Sequence, residues 1–144
     1  MDVMQNGLIF RVRRSARRLA DQHRHLRELI PEFERAVELE DSDALRSMIS
    51  RFMVGVVAHF NLEEDVFFPA LHGLRSDQTT ALDRLSREHH GFLRRLTELR
   101  ELLTAATVEA FAQDFRKLLT DLGAHEKLEE QLVRDAACSG NDSH

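Results

Sequence analysis

The sequence predicts an all-α protein, folded as an antiparallel, up-down-up-down four-helix bundle. Apolar residues recur at steps of three or four along four long stretches, which is the period of a helix with one buried face. Only short polar segments link these stretches, and short links place consecutive helices side by side in opposite directions. The 144 residues include only 6 Gly and 2 Pro. We therefore expect a single domain spanning residues 1–144, without the turns of an all-β protein.

The first two helices are predicted over about residues 8–39 and 43–67. Pro31 lacks the backbone N–H that an interior helical residue donates, so we expect a kink there. Acidic residues and a serine at 40–43 predict a turn that caps the second helix, and Pro69 follows its end. The buried face of the first helix comprises Val12, Ala16, Leu19, His23, Leu26, Ile30, Phe33 and Val37. That of the second comprises Leu45, Met48, Phe52, Val56, His59, Glu63 and Val66.

The third and fourth helices are predicted over about residues 77–103 and 107–137, with Thr107 as a plausible N-cap. The polar residues 138–144 are expected to form a disordered tail. The buried face of the third helix comprises Leu82, Leu85, His89, Phe92, Leu96, Leu99 and Leu103. That of the fourth comprises Phe111, Phe115, Leu118, Leu122, His125, Glu129 and Leu132.

Composition and charge disfavour several classes of protein. The 25 acidic residues outnumber the 20 basic ones, a balance that disfavours nucleic acid as a partner. No apolar run is long enough to span a membrane, and residues 8–10 are too short for the apolar core of a signal peptide. The lone Cys138 excludes an internal disulfide and fits a reducing compartment, so we expect a cytoplasmic protein.

Arginines are crowded on the first predicted helix. They form the solvated side of an amphipathic helix, or else a docking surface for a phosphate or an acidic protein partner. The residues concerned are Arg11, Arg13, Arg14, Arg17, Arg18, Arg24 and Arg27.

Each predicted buried face contains one histidine, and on the second and fourth helices a glutamate follows it one turn later. Burying an unpaired imidazole or carboxylate costs several kcal/mol, which a domain of about 5–15 kcal/mol total stability could not bear six times over. A bound metal ion would satisfy all six groups together. A hydrogen-bonded polar core is the alternative interpretation. The six candidate ligands are His23, His59, Glu63, His89, His125 and Glu129.

The remaining histidines and two neighbouring glutamates are expected to be solvated or to support the ligands. Among them His90, next to a candidate ligand, is the reserve ligand, and Cys138 has no assigned role. The group comprises His25, His72, His90, His144, Glu64 and Glu130.

Four stretches resemble the hemerythrin family, in particular its bacterial HHE cation-binding branch. They are QHRHLREL around His23, HFNLEEDVFFPAL from His59, REHHGFLRRL around His89 and HEKLEEQL from His125. The resemblance extends over about residues 17–133. It implies a four-helix bundle that holds two iron ions joined by an oxo or hydroxo bridge. The four histidines would be terminal ligands, and the bridging carboxylates would be Glu63 and Glu129.

One departure from the family pattern concerns the third helix. Oxygen-carrying hemerythrins have two histidines one turn apart there. Here the residue four positions after His89 is Leu93, and the residue four positions after His90 is Arg94. With four histidine ligands each iron would be about five-coordinate and could keep an open position. An open position favours reaction with a small oxidant, or metal exchange, over reversible oxygen carriage.

Two classes of function follow from the resemblance. In the first, the centre binds or reacts with O2, peroxide or nitric oxide, and the sequence leaves open whether the reaction is enzymatic. In the second, the domain senses iron, oxygen or redox state, or donates iron for repair, through a partner that docks on the arginine-rich helix. Zinc or manganese are possible substitutes for iron. The chain is expected to be a monomer or a weak homodimer.

Overall fold

The computed structural model describes the backbone of residues 3–105 and 107–142, and the side chains of 3–104 and 107–136. Within these ranges the chain is helical between short links and contains no strand. Helix α2 continues directly into a π-helical turn and then α3, so these three form one rod and the bundle has four. The elements are α1 (Val3–Glu38), α2 (Ser42–Leu62), the π-helical turn (Glu63–Phe67), α3 (Phe68–Leu74), a 3-10 turn (Ser76–Gln78), α4 (Thr79–Ala105) and α5 (Val108–Asp142).

Contacts between helices show that neighbouring rods run in opposite directions. Between α1 and α2, Glu32 pairs with Arg51 and Gln22 with His59, so residue numbers fall along one helix as they rise along the other. The other pairs of neighbours show the same reversal. For α4 with α5 the contacts are Arg95–Asp121 and His89–His125, and for α1 with α5 they are Glu34–Arg116 and His23–Glu126. The predicted antiparallel four-helix bundle matches this arrangement.

Two helix starts are capped as predicted. The Asp41 carboxylate accepts a hydrogen bond from the Ala44 N–H at 3.0 Å and so satisfies one of the free donors of α2. The Thr107 hydroxyl accepts from the Ala110 N–H at 3.4 Å at the start of α5. The links before α2 and α5 therefore each end in a residue that caps the next helix.

Several predicted helix boundaries or features differ from the structure. The second rod continues past residue 67 to Leu74, because the π-helical turn shifts the hydrogen bonds just before Pro69, in the first turn of α3. Helix α1 begins at Val3, about five residues before the predicted start, and extends through Pro31 to Glu38. The backbone is helical to Asp142 instead of forming the disordered tail predicted from residue 138. The side chain of Cys138 and residue His144 lie outside the described parts of the chain.

The core consists of two apolar clusters, one towards each end of the bundle. The larger contains Phe33, Phe52, Phe111 and Phe115, while the other contains Leu71 and its neighbours from the remaining rods. On α1, α4 and α5 the two clusters are separated by six or seven residues, about two helical turns, whereas on the second rod they meet at Phe60 and Leu62. Within the described ranges no helix is both long enough and apolar enough to cross a bilayer.

Phe33 provides a test of the larger cluster. Its ring is fully buried and meets the Phe115 ring edge-on, with 4.7 Å between centroids. We expect Phe33→Ala to lower the free energy of unfolding by about 3–5 kcal/mol, because it removes a large side chain and leaves a cavity. Urea unfolding followed by circular dichroism measures the loss.

Val54→Ala is the matched control, because Val54 is 73% exposed. It should change the free energy of unfolding by less than about 0.5 kcal/mol. Equal effects of the two substitutions would contradict the assignment of Phe33 to the core.

Candidate metal centre

A layer of polar side chains lies between the two apolar clusters, and all four rods contribute to it. Five of these side chains are buried, and the sixth, His23, is half-buried with 16% of its side chain exposed. We call this set the polar layer. It comprises His23, His59, Glu63, His89, His125 and Glu129.

Four of the six residues converge on one small space. The ligand atoms of Glu63, His89, His125 and Glu129 all lie within 4.8 Å of one another. The Nε2 atoms of His89 and His125 are 3.1 Å apart, and His125 Nε2 is 2.7 Å from Glu129 Oε1. Separations of this size are those of donor atoms that can share an ion.

The other two histidines form a second pair beside this group. The rings of His23 and His59 are stacked, with 4.3 Å between their centroids. Glu63 lies between the two histidine pairs, because its Oε1 is 3.4 Å from His59 Nε2 and 3.5 Å from His89 Nε2. The structure thus gathers four of the predicted residues around Glu63 and sets His23 against the ring of His59.

The π-helical turn is the local structure that holds Glu63 in the layer. Phe68 donates its N–H to the carbonyl of Glu63, five residues earlier, instead of the usual four. Single turns of this kind are frequent at functional sites. Here the turn places Glu63 in the centre while Glu64, the next residue, reaches the other nitrogen of His89.

Each of three histidines has an oxygen acceptor at its Nδ1 atom, on the side away from the centre. The partners are Gln22 for His59, Glu64 for His89 and Glu88 for His125, at 3.0, 2.8 and 2.8 Å. Because these oxygens accept hydrogen bonds, each ring carries its hydrogen on Nδ1. In the neutral form that leaves the Nε2 lone pair free towards the layer, as metal ligation requires.

Sequence reasoning missed two of these three partners. It anticipated a supporting role for Glu64 but not for Gln22 or Glu88. Both residues directly precede a histidine of the polar layer in the sequence, yet each bonds a histidine of a different rod. The QH and EH pairs were therefore the available signal, but the identity of the partner depends on packing.

The remaining predicted groups lie away from the centre. His25, His72, His90 and Glu130 are exposed, and His72 Nδ1 lies 2.9 Å from the Thr79 hydroxyl. His90 on the outer face of α4 is thus not a fifth histidine of the layer in this structure.

Buried polar atoms without hydrogen-bond partners are concentrated in the polar layer. Among the described residues, five of the six such atoms belong to it: Nε2 of His23 and His59, both carboxylate oxygens of Glu63, and Oε1 of Glu129; the sixth is Oε1 of Gln78. An unsatisfied buried group of this kind costs about 1–3 kcal/mol, and more where it is charged. Imidazole nitrogens and carboxylate oxygens are good ligands for iron, zinc and manganese, so the chemistry of the donor set fits a bound metal.

Burial has its largest effect on Glu63 and His59. Burial, followed by the neighbouring Glu129, raises the pKa of Glu63 to about 12. Burial, followed by the His23 ring, lowers the pKa of His59 to about 3. Without metal the centre therefore keeps Glu63 protonated and His59 neutral at neutral pH, and metal binding must displace the Glu63 proton.

His125 and Glu129 show the opposite balance, since each stabilises the charged form of the other. Burial opposes the charge on both residues. The close contact with Glu129 nevertheless raises the pKa of His125, and the contacts with Glu63 and His125 lower the pKa of Glu129. One ionised pair thus lies beside one neutral carboxyl group.

The sequence profile of the hemerythrin HHE cation binding domain matches residues 14–137. The chain belongs to this hemerythrin family. The matched range contains the entire polar layer, so the family relationship and the buried histidine–glutamate group agree on a metal-binding protein of hemerythrin type. Comparison with curated proteins gives no match, and neither does comparison with solved structures.

Glu63→Gln tests the charge state of the hemerythrin-type centre without metal. In the unfolded chain Glu63 ionises near its ordinary pKa of 4.5, whereas the folded protein holds it neutral. Ionisation therefore favours unfolding increasingly as pH rises above 4.5, by at most about 1.4 kcal/mol per pH unit. We expect Glu63→Gln to stabilise the metal-free protein at about pH 8 and to have little effect near about pH 4.

Urea unfolding in the presence of chelator, at several pH values, measures this difference. Glu130→Gln is the control, because Glu130 is exposed and should give no advantage that grows with pH. A Glu63→Gln variant that tracks the wild type at every pH would show that Glu63 is ionised in the folded, metal-free protein.

Proposed function

We propose that the polar layer holds two iron ions, with Glu63 and Glu129 as bridging carboxylates. His23 and His59 would bind one ion, and His89 and His125 the other. The observation that carries this proposal is the position of Glu63 Oε1, almost equally distant from nitrogens of two separate histidine pairs. A carboxylate so placed suits two ions better than one.

A small, mostly apolar cavity supports the proposal that the ligand is a diatomic molecule or a peroxide. It has a volume of about 140 Å³ and is bordered by His23, His59 and His125. Its other walls are mostly apolar and include Leu26, Val56 and Leu122, although Arg27 and Glu126 also border it. We infer that O2, peroxide or nitric oxide reaches the centre here.

When bound, the iron pair supplies the electrons for binding or reducing such a ligand. The protein contributes the orientation of the ligands and the exclusion of water. Gln22, Glu64 and Glu88 fix the histidine rings through Nδ1, and Phe60 stacks on the His89 ring with 3.9 Å between centroids. These contacts hold the Nε2 atoms of three rings directed at the centre.

The number of histidines favours reaction over reversible carriage. With His90 exposed, four histidines remain for two ions, and a coordination position can stay open for a small oxidant. Zinc or manganese would bind the same donors. Iron is proposed because the chain belongs to the hemerythrin family and because the donor set combines nitrogen and oxygen atoms.

Metal content and absorption spectra test the di-iron proposal. Wild-type protein expressed with ample iron should contain about two irons per chain and show ligand-to-iron charge-transfer absorption in the near ultraviolet. Glu63→Ala and His125→Ala should lower iron occupancy sharply, because each removes a ligand. His90→Ala should leave both readouts unchanged. A colourless wild-type preparation, or equal loss of iron in His90→Ala, would contradict the proposal.

Metal sensing through a protein partner is a second candidate function. The arginines at 11, 13, 14, 17 and 18 are all exposed on α1, and the same helix carries His23 of the polar layer. Loss of metal would leave buried polar groups unpaired and loosen the packing of α1. Hydrogen exchange that rises in α1 on adding chelator would support this function, and unchanged exchange would speak against it.

A further inference from the structure

Glu126 lies beside the polar layer, although it is not among the predicted ligands. It follows His125 on α5 and faces α1, with 20% of its side chain exposed. Its Oε1 lies 2.5 Å from His23 Nε2, yet that buried nitrogen has no partner in hydrogen-bond geometry. The two atoms are close together without being bonded to each other.

The contact differs from those of the other three histidines in the nitrogen that it uses. Gln22, Glu64 and Glu88 each meet an Nδ1 atom, on the outer side of the ring. Glu126 instead meets Nε2, which in His89 and His125 faces the centre. A residue that only oriented the His23 ring from behind would be expected at Nδ1.

The 2.5 Å distance is also close to, though shorter than, the separation of two ligands of a single ion. Bonds of about 2.0–2.2 Å at right angles set neighbouring donor atoms about 3 Å apart. The polar layer shows 2.7 Å between His125 Nε2 and Glu129 Oε1, and 3.1 Å between the Nε2 atoms of His89 and His125. An ion bound by His23 Nε2 would therefore have Glu126 Oε1 within reach.

The second oxygen of Glu126 faces outward. Oε2 lies 4.0 Å from a guanidinium nitrogen of the exposed Arg27. The carboxylate is thus held with Oε2 towards the protein surface and Oε1 against His23. This orientation suits binding of a metal ion through Oε1 alone.

We propose that Glu126 is a seventh ligand, a terminal carboxylate on the ion held by His23 and His59. The inference rests on the proposed di-iron function. It makes the two ions unequal, because one has an additional anionic donor from α5. The open position then belongs to the ion held by His89 and His125; of these two ligands His125 borders the cavity, which His23, His59 and Glu126 also line.

Glu126→Ala and Glu126→Gln, with Glu130→Gln as control, test this assignment. Glutamine keeps the shape and the hydrogen-bond acceptor but is a poor ligand, so we expect both Glu126 variants to lose affinity for one of two metal ions. Removing a supporting group costs about 10–100-fold in affinity, so the loss of a ligand should reach about 100-fold or more. Equilibrium binding of Co²⁺ to the intact chain measures the affinity.

The cobalt spectrum reports coordination as well. Visible bands of Co²⁺ become more intense as the number of ligands falls, so both Glu126 variants should show more intense bands than wild type, and Glu130→Gln should not. Circular dichroism establishes that each variant is folded.

The possible results separate this inference from the function on which it rests. Wild-type affinity and spectrum in Glu126→Ala would overturn the assignment, with the di-iron centre intact. Normal binding in Glu126→Gln with weak binding in Glu126→Ala would also overturn it, since Glu126 would then only position His23. A wild-type chain that takes up no pair of metal ions would instead overturn the proposed function.

Discussion

The structure depends on the burial of ionisable groups between two apolar clusters. Each rod brings at least one imidazole to the same level of the bundle, and Glu63 and Glu129 join them there. Several of these atoms have no hydrogen-bond partner among the residues that the structure describes. Apolar packing on both sides holds the rods in place, so the donors cannot turn away to water. The helices thus hold a ligand set that the protein by itself leaves incompletely satisfied.

This arrangement sets stability against metal binding. Glu63 is the group least tolerated as an ion in the metal-free protein, since burial and Glu129 both raise its pKa. The ionised form is nevertheless the one that a metal requires. Metal binding must therefore displace the Glu63 proton as well as order the polar layer. The affinity of the protein for metal should consequently weaken in acid. The ionised pair of His125 and Glu129 needs less adjustment, because its charges already stabilise each other.

Much of this architecture was predictable from the sequence, because helical periodicity and core packing involve the same residues. Four apolar faces predicted the bundle, and polar interruptions on those faces predicted the buried side chains of His59, Glu63, His89, His125 and Glu129. The partners at Nδ1 were harder to predict, since Gln22 and Glu88 bond histidines of other rods and only the packed structure brings them together. Val66 was predicted to be buried, whereas in the π-helical turn it is 38% exposed and Phe67 is buried instead. Pro69 suggested the end of a helix, whereas the shifted hydrogen bonds allow the rod to continue.

The π-helical turn also makes the length of its segment matter. One additional residue in a turn rotates everything that follows by about 100° about the helix axis. Phe68 and Leu71 of α3 are buried in the core in the orientation that this rotation gives them. Deleting a single residue between Glu63 and Phe67 would turn their side chains off the core, even if every ligand were retained. Gaps in an alignment of this segment are therefore as informative about the centre as the identities of its histidines.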